Sequence, residues 1–190
     1  MSEQHKTSCD IAIIGASLGG HAAADPAAML FEVSDDAPYR VIVTEETDWR
    51  GGQVSSQGVS ALDEHAYIET FGCTEQYAEF RRDLRHRYEH FEKAPSRMAE
   101  SVLGPDMPLN PGNGWVSRLC FTPKRGHDVL SDPVSVTPHW RHEVISAEVV
   151  DGMVKHVVVR DADGKQTVVA AQYYLDATDL GDLLPLTNTD

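Results

Sequence analysis

The apolar positions of this chain change texture along its length, and the changes predict its elements. Asp10-Ile11-Ala12-Ile13-Ile14 is a short apolar run that stops at a glycine, the pattern of a strand buried on both faces of a parallel sheet. Residues 17–30 are mostly small and predict a helix, and residues 40–44 predict a second buried strand that ends in acidic residues. Pro26 lies two turns into that helix and is expected to bend it or to start a second one, because proline removes a backbone donor. Residues 51–58 are glycine-rich and read as loop. The clearest helix covers 75–92, where Tyr77, Phe80, Leu84, Tyr88 and Phe91 recur at spacings of 3, 4, 4 and 3 and form one apolar stripe. Residues 104–114, with three prolines and three glycines, predict an irregular loop, and 115–130 a partly helical segment.

From residue 134 to 175 the texture becomes β. Residues 144–150, 154–160 and 167–175 read as strands, and Asp151-Gly152 and residues 161–164 are turn sequences suited to hairpins. The order is therefore β-α-β, a helical insertion, then an antiparallel meander that returns to one more strand. That order fits an α/β dinucleotide-binding core with a parallel sheet and an inserted β-meander.

The first strand runs into Gly15-Ala16-Ser17-Leu18-Gly19-Gly20 and then into helix. Gly15 permits a tight turn, Gly20 lets the helix pack closely on the strand, and the exposed amides of the helix start favour a pyrophosphate. Ser17 stands where the glycine pattern has its second glycine, so its side chain must stay off the phosphates. Glu45 follows Gly20 by twenty-five residues, at the end of the second strand. A carboxylate there accepts hydrogen bonds from an adenosine ribose and repels a 2′-phosphate. The neighbouring Glu46 reads as solvent-exposed loop.

Composition narrows the partners. The chain has 190 residues, 41% of them hydrophobic, with thirty acidic against sixteen basic side chains for a net charge of −14. Such a field repels phosphate backbones and anionic headgroups, so neither nucleic acid nor a membrane surface is expected as a partner. Residues 1–9 are polar, carry no apolar signal-like run, and are expected to form a disordered tail. Cys9, Cys73 and Cys120 are odd in number and far apart, which suggests free thiols and a cytoplasmic location.

Glu45 followed by Gly51-Gly52-Gln53 and Ser55-Ser56-Gln57-Gly58-Val59 resembles the N-terminal part of FAD-dependent oxidoreductases of the glutathione-reductase-like flavoprotein superfamily. The segment from Asn110-Pro111-Gly112-Asn113-Gly114 through Trp115-Val116-Ser117-Arg118-Leu119-Cys120-Phe121 is similar to the same group. So is Tyr174-Leu175-Asp176-Ala177-Thr178-Asp179-Leu180-Gly181-Asp182-Leu183, which resembles its second flavin-contacting segment. The resemblance spans residues 10–186. It implies FAD with its pyrophosphate on Gly15, Ser17, Gly19 and Gly20 and its ribose on Glu45. It also implies Gly51, Gly52 and Gln53 near the ribityl chain or flavin, Ala147 to Val149 beside adenine, and Ala177, Thr178 and Asp182 on the phosphate and ribityl side. Arg118 and Cys120 are the candidate contacts to an anionic substrate or the flavin edge. Members of that group are longer and continue into a substrate domain. Residues 10–190 are therefore expected to be a truncated FAD-binding domain with the substrate domain missing.

Other patterns lead elsewhere. No two cysteines lie closer than 47 residues, so a redox-active cysteine pair is not encoded, and no second glycine-rich strand–helix turn follows residue 125. His86-Arg87-Tyr88-Glu89-His90 matches a zinc-peptidase pattern, but Arg82 and Arg85 to Arg87 surround it with cations and it reads as a surface helix, so no metal is expected. His127, His139 and His142 are placed by no motif and read as surface residues. The function that follows is a FAD-dependent oxidoreductase whose flavin accepts a hydride from a small organic substrate. The alternatives are a non-catalytic FAD-binding remnant or interaction module, for which exposed surface would favour a homo-oligomer, and an NAD-binding dehydrogenase, which the absence of a Tyr-x-x-x-Lys pair disfavours.

Overall fold

The computed structural model describes residues 5–29, 40–59, 62, 64, 67–68, 72–89, 123–130 and 136–189. The chain divides into two compact units, one formed by Met1–Gly52 with Asp132–Asp190 and the other by Gln53–Ser131.

The first unit contains two four-stranded sheets. Strands β2 (Ile11–Ile14), β3 (Val41–Glu45), β4 (Val136–Trp140) and β8 (Tyr173–Asp176) form a parallel sheet in the order β4-β3-β2-β8. Strands β1 (His5–Ser8), β5 (His142–Val150), β6 (Met153–Asp161) and β7 (Gln166–Ala170) form a mixed sheet in the order β1-β7-β6-β5, with the meander antiparallel and β1 parallel to β7. Helix α1 (Leu18–Met29) connects β2 to β3, and the short α4 (Leu183–Thr187) follows β8.

The parallel sheet is covered on both faces, which is why β2 and β3 are continuous apolar runs. Ile13, Val41 and Val43 pack with Ala24 and Ala27 of α1 on one face. Ala12, Ile14 and Ile42 pack with Val157, Val159 and Val169 of the meander and Leu183 of α4 on the other. Alternate residues of one strand thus serve two cores, as the two-residue period of a strand requires.

Several expectations are corrected. Residues 5–8, expected in a disordered tail, form strand β1, held by pairing with β7 from His5↔Thr167 to Ser8↔Ala170. Its sequence His-Lys-Thr-Ser carries no apolar alternation, so backbone pairing alone makes the strand. Helix α1 is assigned continuously through Pro26. The carbonyl deprived of a partner belongs to Ala22, which is exposed like Pro26, so water can take the missing donor's place. The single strand expected at 167–175 is two. The Gln172 and Tyr173 amides both donate to Asp10 O at 3.1 Å, and the Tyr174 hydroxyl accepts from the Ala171 amide at 2.6 Å. The chain turns there from one sheet into the other, as it does at Cys9 and Asp10. Strand β4 tolerates Pro138 because it lies at the edge of its sheet.

The second unit contains α2 (Glu75–Glu89), which packs on α3 (Pro123–Val129). Phe80 and Leu84 of the predicted stripe are buried. Glu64 and Arg81, each 4% exposed, form a two-bonded ion pair at 2.8 and 3.0 Å, and Tyr77 donates its hydroxyl to Glu64 Oε1 at 2.7 Å. The loop at 104–114, the segment 110–121 with Arg118 and Cys120, and Phe91 and His90 of the helical and zinc-like patterns all lie outside the described residues. Among the described residues no helix is long and apolar enough to cross a membrane.

Cys9 is buried in the core and its thiol is pushed up to about 11, first by burial, whereas Cys73 is exposed. With Cys73 and Cys120 replaced by serine, Cys9 is expected to resist a disulfide reagent at pH 8 and to react in full once the chain is unfolded by denaturant. Immediate labelling of the native variant would show that the two-sheet core is not formed as described.

Candidate functional site

The carboxyl ends of β2, β3 and β8 meet at a cavity of about 410 Å3, within the ~300–1,000 Å3 range of small-molecule sites. Its wall is built from Ile14, Gly15 and Ser17 after β2, Thr44 to Glu46 at the end of β3, residues 177–180 with Asp182 after β8, and His142 to Val144 at the start of β5.

Backbone contact shapes the floor. Gly15 has φ +96°, and a Cβ there would lie 2.5 Å from the Thr178 amide nitrogen and collide with the Ala177 carbonyl. The amide of Gly15 donates to Thr44 O at 2.9 Å, and that of Ala177 to Ile14 O at 2.7 Å, so the ends of the three strands are tied to one another. A Cβ on Gly20 would collide with Gly15 O, whereas one on Gly19 would meet nothing closer than Ser17 Oγ at 3.7 Å. Ser17 caps α1, its Oγ accepting from the Gly20 amide at 3.2 Å. That bond turns the serine side chain back onto its own helix, as a residue in the place of the second glycine must do. The Ser17 and Gly19 amides stand at this helix start, where the dipole favours negative charge.

Gly51 and Gly52 sit against the same loop. The Gly51 amide donates to Ala16 O at 2.6 Å, and a Cβ on Gly52 would lie 3.2 Å from Ser17 Cα and 3.0 Å from Asp179 Oδ1. Both glycines have positive φ, 105° and 52°, so the turn needs their conformation, and at Gly52 also the lack of a side chain.

Glu45 is buried, and three donors fix its carboxylate. Ala16 N donates to Oε2 at 2.9 Å, while Thr47 N and Thr47 Oγ1 donate to Oε1 at 3.0 and 2.8 Å. Asp176 organises the opposite wall. Its Oδ1 accepts from the Thr178 amide and hydroxyl at 3.1 and 2.7 Å, and its Oδ2 from the Leu183 amide at 2.9 Å. The Asp182 amide in turn donates to Thr178 Oγ1 at 2.8 Å.

The structure thus brings Gly15, Ser17, Glu45, Ala177, Thr178 and Asp182 to one cavity, with Gly20, Gly51 and Gly52 packed behind or beside its floor. Val149 does not line it. That residue pairs with Val154 in the β5–β6 ladder, and the β5 residues at the cavity are His142, Glu143 and Val144. Gln53 opens the second unit. Sequence reasoning missed Thr47, Asp176 and His142 as site residues. Thr47 carries a signal in its type, since a threonine hydroxyl can bond the backbone two residues on, as its Oγ1 does in accepting from the Trp49 amide. His142 carries none, because only the β4–β5 corner at Arg141, with φ 58°, brings it in.

The rim is acidic. Glu46 is exposed rather than buried, as expected, yet its carboxyl is raised above its ordinary value of 4.5, first by partial burial and then by Glu45, Asp182, Asp179 and Glu143. His139, edge-on to His142 at 5.2 Å, is lowered by burial and then by His142 and His5.

Two predictions follow from this geometry. Gly15→Ala is expected to destabilise the chain by roughly 1–2 kcal/mol of left-handed strain and about 1–3 kcal/mol of overpacking. Gly19→Ala should leave stability unchanged or raise it by up to about 1 kcal/mol, both read from urea unfolding curves. For Glu46, a raised carboxyl means that the native state still holds a proton the unfolded chain has released. Its ionisation therefore lowers stability as pH rises from 4.5 through the folded value, and has no effect below that window. Glu46→Gln should then be more stable than the parent at pH 7, by no more than about 0.5 kcal/mol for so exposed a group. The advantage should vanish below about pH 4 in melts recorded across pH.

The fold recurs in solved flavoproteins. The myxobacterial chondrochloren halogenase, a variant of FAD-dependent halogenases, superposes with a TM-score of 0.53 at 16% identity, over 90% of this chain and 37% of its own. Sdh1 of Mycobacterium smegmatis in complex with UQ1 gives 0.55 at 15% identity, over 91% and 34%. A flavoprotein/dehydrogenase of Cytophaga hutchinsonii gives 0.55 at 15%, over 94% and 41%. At these identities the likeness is one of fold, and the chain spans between a third and two fifths of those proteins' lengths. No curated protein matches it in sequence. The family model for FAD dependent oxidoreductases matches residues 10–190, and with its glycine loop, acidic strand end and meander in place this chain belongs to that family.

Proposed function

We propose that the chain binds FAD in the cavity at the ends of β2, β3 and β8, as the cofactor-holding part of an oxidoreductase acting on a small organic substrate. The observation that carries this reading is the buried Glu45 carboxylate, fixed by three protein donors while lining a cavity whose floor is glycine backbone. The residues present fit the group. Gly15 and the start of α1 offer close backbone approach and a positive dipole end to a pyrophosphate. Glu45 has acceptor capacity left for a ribose hydroxyl, since a carboxylate offers about four lone-pair sites. Val144 supplies apolar wall. Ser17 and Gly19 would hold the phosphates, Ala177 and Thr178 the phosphate and ribityl side, and Gly51 and Gly52 the approach to the ribityl chain.

Bound flavin supplies the redox chemistry, accepting a hydride from a substrate C–H bond, while the protein supplies binding and electrostatics. The carboxylates of Glu46, Glu143, Asp179 and Asp182 surround the site with negative charge, so binding must come from short-range amide contacts rather than from a general positive field. Arg118 and Cys120 remain the candidates for contact with substrate or flavin edge. A cytoplasmic location belongs to the same reading, supported by the unpaired thiols of Cys9 and Cys73.

The test is an absorbance spectrum of the purified chain before and after incubation with FAD and removal of the excess. Flavin bands that stay with the protein are expected. Glu45→Ala should weaken retention about tenfold to a hundredfold, the worth of a hydrogen bond to a charged group. A folded chain that remains colourless after incubation would overturn the proposal.

A further inference from the structure

We infer that Thr47 is a positioning residue, whose hydroxyl sets how the Glu45 carboxylate meets the ribose of an adenine nucleotide. The inference rests on the assignment of Glu45 to the ribose.

Glu45 Oε1 accepts two bonds, both from Thr47, through its amide at 3.0 Å and its hydroxyl at 2.8 Å. Oε2 accepts one, from Ala16 N at 2.9 Å. An ionised carboxylate oxygen has two lone-pair directions in the plane of the group. Oε1 is therefore filled, and the remaining in-plane direction belongs to Oε2. The carboxylate cannot turn without breaking bonds to Thr47 on one side and to the phosphate loop on the other. Glu45 is consequently built to take one ribose hydroxyl at Oε2, in a fixed direction.

Thr47 is itself held from three sides. Its carbonyl accepts from the Arg141 amide at 3.2 Å, and its hydroxyl oxygen accepts from the Trp49 amide at 3.0 Å. The hydroxyl has a single proton, and both Glu45 Oε1 and Trp49 O at 2.9 Å lie within its reach. The charged carboxylate is the stronger acceptor and takes it. With the hydroxyl's acceptor side occupied by Trp49 N, the donor side is directed toward Glu45. Arg141 also places its guanidinium on Asp48, with Nε 2.6 Å from Oδ1, so the corner between β4 and β5 anchors the turn carrying Thr47.

The experiment compares ADP with 2′,3′-dideoxyadenosine diphosphate, which lacks both ribose hydroxyls, by calorimetry on the parent, Thr47→Val and Thr47→Ser chains. The parent is expected to prefer ADP by about tenfold to a hundredfold. Thr47→Val keeps the amide and the shape but not the hydroxyl. It should bind the dideoxy compound as the parent does while its preference for ADP falls to about threefold or less, the change of one weakened bond. Thr47→Ser should restore the preference. A Thr47→Val chain that keeps the parent's preference overturns the inference and leaves the Glu45 assignment standing. A parent that binds ADP no better than the dideoxy compound overturns the Glu45 assignment and the inference with it. Unchanged affinity for the dideoxy compound separates both results from misfolding.

Discussion

The crossing of Gly15 with the Ala177–Thr178 peptide is the constraint on which the site depends. Two backbones pass there with no room for a Cβ, at the point where β2 leaves the sheet and β8 ends. Because the strands converge so tightly, α1 can begin directly over them, which in turn requires Gly20. The turn at Gly51 and Gly52 then rests on Ser17 for the same reason. The floor of the cavity is thus made of main chain rather than side chains, and most of its amides are already bonded within the protein. A phosphate can approach such a floor closely, and no rotamer has to be ordered for it to do so.

Carboxylates do much of the joining in this acidic chain. At one end of the parallel sheet, Asp10 receives the Gln172 and Tyr173 amides on its carbonyl and the Arg40 amide on Oδ2 at 2.7 Å, which ties the place where two strands change sheets. At the other end Glu45 binds the glycine loop to the turn after β3, and Asp176 binds the loop after β8 to α4. Each accepts backbone donors that would otherwise be left without partners in a segment of irregular structure, where an unmade bond costs more than a made one gains. Glu45 and Asp176 therefore close the fold and also fix the loops from which the cavity walls are built.

This division explains what the sequence could and could not disclose. The buried strands at Ile11–Ile14 and Val41–Glu45, the glycine loop and the Asp151-Gly152 hairpin announce themselves because each is set by local pattern. The place of Glu45 at the end of β3 is legible from its spacing, whereas its bonds to Ala16 and Thr47 are not. Strand β1 is not, since His5–Ser8 is ordered by a ladder to residues some 160 positions away. Neither is the break between β7 and β8, which depends on an Asp10 carbonyl that no local pattern reveals. Val149, expected beside adenine, is not among the residues lining the cavity. The β5 run is correctly read as strand, but the cavity is reached from its first residues, and only the left-handed corner at Arg141 determines which end of the strand that is.

The acidic rim looks adverse for an anionic ligand, and distance resolves the conflict. Carboxylates facing solvent act through water and salt, with an influence cut to a Debye length of about 8 Å at physiological ionic strength. Amides at hydrogen-bond range act almost unscreened, and the dipole of α1 adds to them over its first turn. In the proposed site an anion at the start of α1 meets such contacts at close range, where the solvated rim acts only weakly. One that remains outside meets only repulsion. In the proposed site, rim and floor together favour a ligand whose phosphate is flanked by groups able to carry it inward: a ribose for the one open lone pair of Glu45 and an apolar ring for the wall at Val144.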